Sequence, residues 1–114
     1  MVGGFKNTVN GSNSFVSGGS HTVKHSYSGC LGYKLTTTAG GQLVVGQDNE
    51  TSSKFSNDAF TVAYGNASGS SKTLFTVSKT AAGNASSGWY TKPTKSCDAI
   101  TYGYLQEALL NGEW

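Results

Sequence analysis

Residues 14–18 have the sequence Ser-Phe-Val-Ser-Gly, residues 28–32 have Ser-Gly-Cys-Leu-Gly, and residues 42–46 have Gln-Leu-Val-Val-Gly. The glycines that end these stretches are 14 residues apart, and Gly4 extends the same period toward the N-terminus. Self-similarity at a fixed period is typical of architectures in which each repeat packs on the next. The period therefore predicts that the first half of the chain is a stack of equivalent coils.

Each coil has two small or β-branched residues about half a period apart, with Gly, Ser, Asn and Thr between them. This composition suits two short strands joined by tight turns, with small side chains stacking inward from coil to coil along a β-solenoid. We predict that this solenoid spans residues 3–50. The residues expected in its core are Val9, Val16, Val23, Cys30 and Val44.

The chain is poor in residues that build a core. Its 114 residues correspond to one domain, but only 21 of them are Leu, Ile, Val or Phe, which is below the roughly 20% at which disorder becomes a concern in highly charged chains. The net charge is only +2, so charge repulsion does not hold the chain open. We therefore expect burial against other copies of the chain, since a stack of about three coils leaves its ends uncovered.

Charge and hydropathy exclude two classes of partner. The lysines are isolated and the chain has no arginine, whereas nucleic-acid binding uses clustered Lys and Arg. No stretch approaches the roughly 18 apolar residues of a membrane span, and the N-terminus lacks the pattern of a secretion signal. We expect a soluble chain that neither binds nucleic acid nor inserts into a membrane.

Residues 51–80 are predicted to close the repeat. Two segments alternate with the period of a strand, and each places its larger apolar residues on one face. The residues expected on that face, in the core of the roll or of the trimer, are Phe60, Val62, Phe75 and Val77. An antiparallel hairpin is the simplest interpretation, and two further irregular coils are the alternative.

The C-terminal part is predicted to be a linker followed by a short helix. Residues 81–95 are mostly small and polar, which is typical of a flexible connection. In residues 96–114 we expect Asp98 to cap a helix whose apolar stripe includes Ile100, Tyr104 and Leu105. Because about twelve residues do not form a stable helix alone in water, this helix requires a partner, most simply the same helix in other copies.

Few residues offer catalytic or metal-binding chemistry. The acidic residues form no recognisable catalytic pair, and Asp48 and Glu50 are expected in a solvated turn. His21 and His25 flank an inward-facing valine, so they are expected on the surface, with a metal ring on a three-fold axis as the alternative. We expect no enzyme activity, no cofactor and no metal. Cys30 and Cys97 are expected to be free thiols, because they lie in different structural units.

Aromatic residues offer one further possibility. On a fibre, exposed rings are candidates for stacking against a host-surface sugar, and packing at the junction between solenoid and helix is the alternative. The candidates are Trp89, Tyr90, Tyr102, Tyr104 and Trp114.

The Ser-x-small-x-Gly repeat with its 14-residue period resembles the head repeat of trimeric autotransporter adhesins (YadA-like heads), which also occurs in bacteriophage tail fibres. Residues 42–46 followed by Ser-Asn-Asp-Ala-Phe-Thr-Val at 56–62 look like the stretch that closes such repeats in phage fibres. Alanine is usual in the family at the positions of Val16, Cys30 and Val44.

A second stretch is also similar to phage fibres. Pro93 followed by Asp98-Ala99-x-Thr101-x-x-Tyr104 resembles the Asp-Ala-Ala-Thr-Lys-x-Tyr-Val-Asp segment of tail-fibre proteins, although Ile100 and Tyr102 replace the expected Ala and Lys. The family forms left-handed parallel β-rolls packed three at a time.

The resemblance therefore implies an all-β trimeric left-handed parallel β-roll, followed by a β-hairpin and a short C-terminal α-helix. It also implies a structural, non-enzymatic fibre component of a bacteriophage virion that serves attachment or host-surface adhesion. Its partners would be other virion or fibre proteins and a host cell-surface glycan or protein. The alternative is a fragment of a bacterial trimeric adhesin, located at the bacterial cell surface.

Overall fold

The molecule is elongated along the direction in which its coils stack. A computed structural model describes residues 4–66, 70–86, 88–110 and 112. Its principal extents are 49 × 30 × 19 Å and its radius of gyration is 15.5 Å. A compact domain of this length would have a radius of gyration of roughly 13 Å. The larger radius of gyration is expected for a solenoid, because each coil packs only on its neighbours along one axis.

The predicted β-solenoid is confirmed, and it has about four turns. Its strands are β1 (Thr8–Val9), β2 (Phe15–Gly19), β3 (Thr22–Val23), β4 (Gly29–Tyr33) and β5 (Leu43–Gln47). Strand β2 pairs in parallel with β4, and β4 with β5, in a register that aligns Val16 with Cys30 and Cys30 with Val44. A second strip forms half a period away, where β1 pairs in parallel with β3.

The periodic glycines occupy positions where a side chain does not fit. Gly18, Gly32 and Gly46 have φ values of +110°, +137° and +109°, which L-residues with a side chain rarely adopt. A Cβ atom on Gly32 would also lie 1.9 Å from the carbonyl oxygen of Gly46 in the next coil. The 14-residue glycine period is thus a consequence of close backbone approach between coils.

The interior of the solenoid is narrow and combines apolar and polar ladders. At one corner, the Ser28 amide donates to Ser14 Oγ at 3.2 Å and the Gln42 amide donates to Ser28 Oγ at 3.3 Å. These bonds pair backbone groups that water cannot reach. The apolar core consists of Val16, Val23, Cys30, Leu35, Val44 and Ala63, with Val9 partly buried against it.

The segment after the third coil both extends the sheet and closes it. Strand β6 (Asp58–Tyr64) pairs in parallel with β5, and β7 (Thr73–Ser78) pairs antiparallel with β6. The chain therefore combines the two alternatives left open by the sequence, because β6 is a fourth parallel strand and also the first strand of a hairpin. The parallel stack extends beyond residue 50, which was the predicted end of the solenoid.

The face of this hairpin that lines the solenoid interior carries small residues. Thr61, Ala63 and Thr76 are buried, because Thr61 pairs with Val44 and continues the inward row of the solenoid. Since successive side chains on a strand point to opposite faces, the larger apolar residues point outward. These outward residues are Phe60, Val62, Phe75 and Val77, which share one face as predicted but lie outside the solenoid interior.

Residues 81–95 contain a second hairpin where the sequence suggested a flexible linker. Strand β8 (Ala81–Asn84) pairs antiparallel with β9 (Gly88–Thr91). The residues of this hairpin are mostly small and polar, and the hairpin is stabilised by the C-terminal helix that packs on it.

The helix α1 (Tyr102–Leu110) begins later than predicted. Thr101 precedes it, and its hydroxyl accepts the amide of Tyr104 at 3.4 Å, so Thr101 and not Asp98 occupies the capping position. Ile100 lies before the helix and is exposed, whereas Tyr104 and Leu105 are half-buried. Ala108 is the fully buried residue among the described positions of the helix, so its apolar stripe is mostly uncovered.

Candidate functional site

A buried charged cluster joins the solenoid to the C-terminal segment. Lys95 Nζ lies 2.5 Å from Asp58 Oδ1 and 2.7 Å from Asp98 Oδ1. Both carboxylates are inaccessible to solvent, and the lysine side chain is nearly so. The sequence pattern does not predict this cluster, because Asp58 and Lys95 are 37 positions apart.

Asp98 organises the turn that precedes the helix. Its Oδ2 atom accepts the amides of Thr94 and Lys95 at 2.7 and 3.0 Å, and the Thr76 hydroxyl donates to Oδ1. Burial alone would raise the pKa of Asp98, but the hydrogen bonds from Lys95, Thr76 and Thr94 outweigh it and hold the pKa at about 2. Asp98 is therefore an ionised structural residue at neutral pH.

Asp58 has a less favourable environment. Its Oδ2 atom is buried and makes no hydrogen bond within the described part of the chain. Burial raises the pKa of Asp58 despite the opposing effect of Lys95. Burial would lower the pKa of Lys95, but its hydrogen bonds to Asp58 and Asp98 raise it. Because neither carboxylate reaches solvent, the pair has no access to a substrate, and its geometry suits a structural connection.

The same segment covers the edge of the main sheet. The Thr76 amide donates to the Cys97 carbonyl at 3.1 Å, and the Ala99 amide donates to the Thr76 carbonyl at 2.8 Å. An uncovered edge strand offers its backbone groups to other chains. The contacts with β7 therefore protect one end of the solenoid.

The outer face of the main sheet is apolar and continuous across five strands, β2-β4-β5-β6-β7. Two outward rows run across it at right angles to the strands, and neither row contains a charged residue. One row consists of Phe15, Gly29, Leu43, Phe60 and Val77, and the other of Ser17, Leu31, Val45, Val62 and Phe75. We call these two rows the apolar face.

Several of these side chains remain accessible in the single chain. Phe75 is 41% exposed and Leu31 is 39% exposed, and the rings of Phe60 and Phe75 meet edge to face with centroids 6.3 Å apart. Large continuous apolar patches on soluble proteins mark interaction surfaces. The apolar face is the candidate assembly surface.

The two histidines are used for internal hydrogen bonds. The Leu35 amide donates to His21 Nδ1 at 3.1 Å, so the other ring nitrogen carries the proton and donates to the Ser17 carbonyl at 2.8 Å. His21 is buried, contrary to the expected surface position. His25 Nδ1 lies 2.9 Å from the hydroxyl of Thr37. Within the described residues, no group of three or more His, Cys, Asp or Glu side chains is arranged to hold a metal.

The aromatic candidates do not form one surface. Trp89 is 69% exposed on β9, whereas the neighbouring Tyr90 points to the opposite side, where its ring contacts Gly103 and its hydroxyl donates to Glu107. Tyr102 is exposed and Tyr104 is half-buried. Trp114 lies outside the described residues. The position of Tyr90 agrees with packing between the hairpin and the helix.

Two other sequence candidates occupy structural positions. Asp48 is buried, not solvated, and accepts the Ser71 hydroxyl at 2.9 Å. Cys30 and Cys97 are free thiols, and burial raises the pKa of Cys30 to about 12, so the buried thiol is unreactive at neutral pH.

The described residues include no helix that is long and apolar enough to cross a membrane. Comparison of the chain with family models, with curated proteins and with solved structures gives no match.

Proposed function

We propose that this protein is a structural, non-enzymatic component of a bacteriophage fibre, assembled as a parallel trimer of left-handed β-rolls. The observation that carries the proposal is the uncharged apolar face on a sheet of stacked coils. In a parallel assembly the rows of one copy meet similar rows of another, so no charge is buried or opposed. The number three and the left-handed twist come from the resemblance to YadA-like heads.

The remaining chemistry of the chain supports a mechanical role. The titratable cluster of Asp58, Lys95 and Asp98 is sealed from solvent, and it connects structural elements. A rod that presents three equal tips binds a surface with an avidity above that of each site. We therefore propose attachment to other virion proteins or adhesion to a host surface as the function.

The assembly is tested by light scattering coupled to size-exclusion chromatography. We expect a trimer for the unmodified chain and a smaller species for Val62→Lys, which places a charge in the middle of the apolar face. Thr8→Lys is the matched control, because Thr8 is exposed on the second strip. A folded monomer at micromolar concentration for the unmodified chain would contradict the trimer.

The virion location is tested separately, by gold-labelled antibodies viewed on phage particles and on bacterial cells. Label on fibres of the particle is the expected result. Label on the cell surface in the absence of phage would favour the alternative, a fragment of a bacterial trimeric adhesin.

A further inference from the structure

A cleft rich in hydroxyl groups lies between the solenoid and the connection that follows it. Its volume is about 260 Å³. One wall consists of Lys24, His25 and the three threonines at 36–38, and the other consists of Thr51 and serines of residues 52–56. Among the described residues, no carboxylate and no Phe, Tyr or Trp side chain lines it. The cleft is therefore positively charged and polar, unlike the aromatic-lined pockets typical of apolar ligands.

The threonine at the base of the cleft positions its two basic residues. The Thr37 hydroxyl accepts the Lys24 amide at 3.0 Å and lies 2.9 Å from His25 Nδ1. Thr37 is itself buried. The second ring nitrogen of His25, Nε2, makes no hydrogen bond within the described part of the chain. A preorganised imidazole thus accompanies a lysine ammonium group that is exposed to solvent.

The wall formed by the connection is held in place by a separate contact. The Thr38 hydroxyl donates to the Phe55 carbonyl at 2.7 Å and accepts the Gln42 side-chain amide at 3.0 Å. This bridge joins the two walls, so the cleft is part of the folded structure. The side-chain hydroxyls of Thr51, Ser53 and Ser56 make no hydrogen bonds within the described residues.

We propose that this cleft binds an oxyanion group, such as a sulfate ester, that is carried by a saccharide. Ammonium, imidazole and hydroxyl groups all donate hydrogen bonds to oxyanions, and bonds that involve a charged group are the stronger ones. The hydroxyl-rich walls provide donors and acceptors for the neighbouring sugar hydroxyls. This inference rests on the proposed adhesive function and adds a ligand class to it.

The position of the cleft is compatible with assembly. Thr36 bridges to Thr22 in the second strip of the solenoid, which lies half a period from the apolar face. Assembly through the apolar face therefore leaves the cleft open in each copy. Because no Phe, Tyr or Trp ring of the described residues lines the cleft, each site is expected to bind weakly, and repetition in the trimer raises the apparent affinity.

The test is a calorimetric titration of the full chain with three probes: a sulfated disaccharide, the same disaccharide without sulfate, and inorganic sulfate. We expect saturable binding of the sulfated disaccharide alone. Lys24→Gln and His25→Gln should each weaken it about tenfold or more. Lys92→Gln is the matched control, because it removes the same charge from an exposed position outside the cleft. Thermal melts of each variant check that the fold is retained.

Three results would overturn the proposal: equal binding of inorganic sulfate, equal binding of the unsulfated sugar, or binding unaffected by Lys24→Gln and His25→Gln. The oligomeric state of the same samples separates this proposal from the proposed function. A monomer that binds the sulfated sugar rejects the trimer and supports the site, whereas a trimer that does not bind it rejects the site alone.

Discussion

The ammonium group of Lys95 lies 2.5 Å from the buried carboxylate of Asp58. This contact joins the last parallel strand of the solenoid to the turn that precedes the C-terminal helix. Asp98 completes the cluster, with its carboxylate 2.7 Å from the same ammonium group. The second hairpin, which precedes this turn, and the helix, which follows it, are thereby attached to the closed edge of the solenoid by charge as well as by backbone hydrogen bonds.

Removal of the lysine should therefore be costly. Lys95→Met leaves two buried carboxylates without their shared cation, and breaking a buried ion pair in this way costs about 3 to 5 kcal/mol. We expect a loss of this size in the free energy of unfolding, measured by urea denaturation. Lys92→Met, at an exposed position, should change it by less than about 0.5 kcal/mol. Similar values for the two variants would show that the cluster is not structural.

Acid should destabilise the protein through Asp98. Its pKa in the folded chain is about 2, below the ordinary value of 3.8, so its stabilising contribution is complete above pH 3.8 and is lost as the pH falls to about 2. This difference between the folded and the ordinary pKa corresponds to about 2 kcal/mol in the free energy of unfolding. The raised pKa of Asp58 acts with the opposite sign, since a proton then binds the folded state more readily.

The comparison with Asp98→Asn isolates this contribution. Between pH about 4 and pH about 2, the unfolding free energy of the unmodified chain should fall more steeply than that of the variant, as measured by urea denaturation at each pH. Parallel pH profiles would mean that the ionisation of Asp98 is not linked to folding.

Replacement of glycine by alanine should destabilise the protein at one position of the solenoid and be nearly neutral at another. In Gly32→Ala, the new Cβ would lie 1.9 Å from the Gly46 carbonyl oxygen, at a φ of +137°. We therefore expect the free energy of unfolding to fall by about 2 kcal/mol or more, with a lower melting temperature. In Gly19→Ala, the closest atom would be 3.4 Å away, and the melting temperature should stay nearly constant. Equal melting temperatures would reject close backbone approach as the reason for the glycine period.

The inward row of the solenoid can be tested with an introduced charge. Val44 is fully buried, so Val44→Asp places an unpaired carboxylate in the interior, at a cost of several kcal/mol. Ser20→Asp lies at a left-handed turn, with φ +59°, which aspartate tolerates. Circular dichroism should show an unfolded chain for the first variant and a native melt for the second. Tolerance of both changes would contradict the register.

The stacking of the coils was predictable because local sequence and coil contacts repeat with one period. Cys30 aligns with Val16 and Val44 in the sequence and in the sheet. The C-terminal helix was predictable in outline, but its start was not, because Asp98 and Thr101 are both suitable caps. The tertiary contact with Thr76, together with the local contacts with Lys95, holds Asp98 in the turn before the helix.

The sequence by itself determined the coil, because a 14-residue glycine period and small inward residues are satisfied by stacking alone. The tertiary structure decided which face of β6 and β7 is buried. Both faces carry residues that a strand can bury, and only the pairing of Thr61 with Val44 places the threonines inside and Val62 outside. It also decided the site chemistry, since the Asp58–Lys95 contact and the cleft at Lys24 join segments that are distant in the sequence. Such contacts depend on how the chain returns on itself, which no local pattern records.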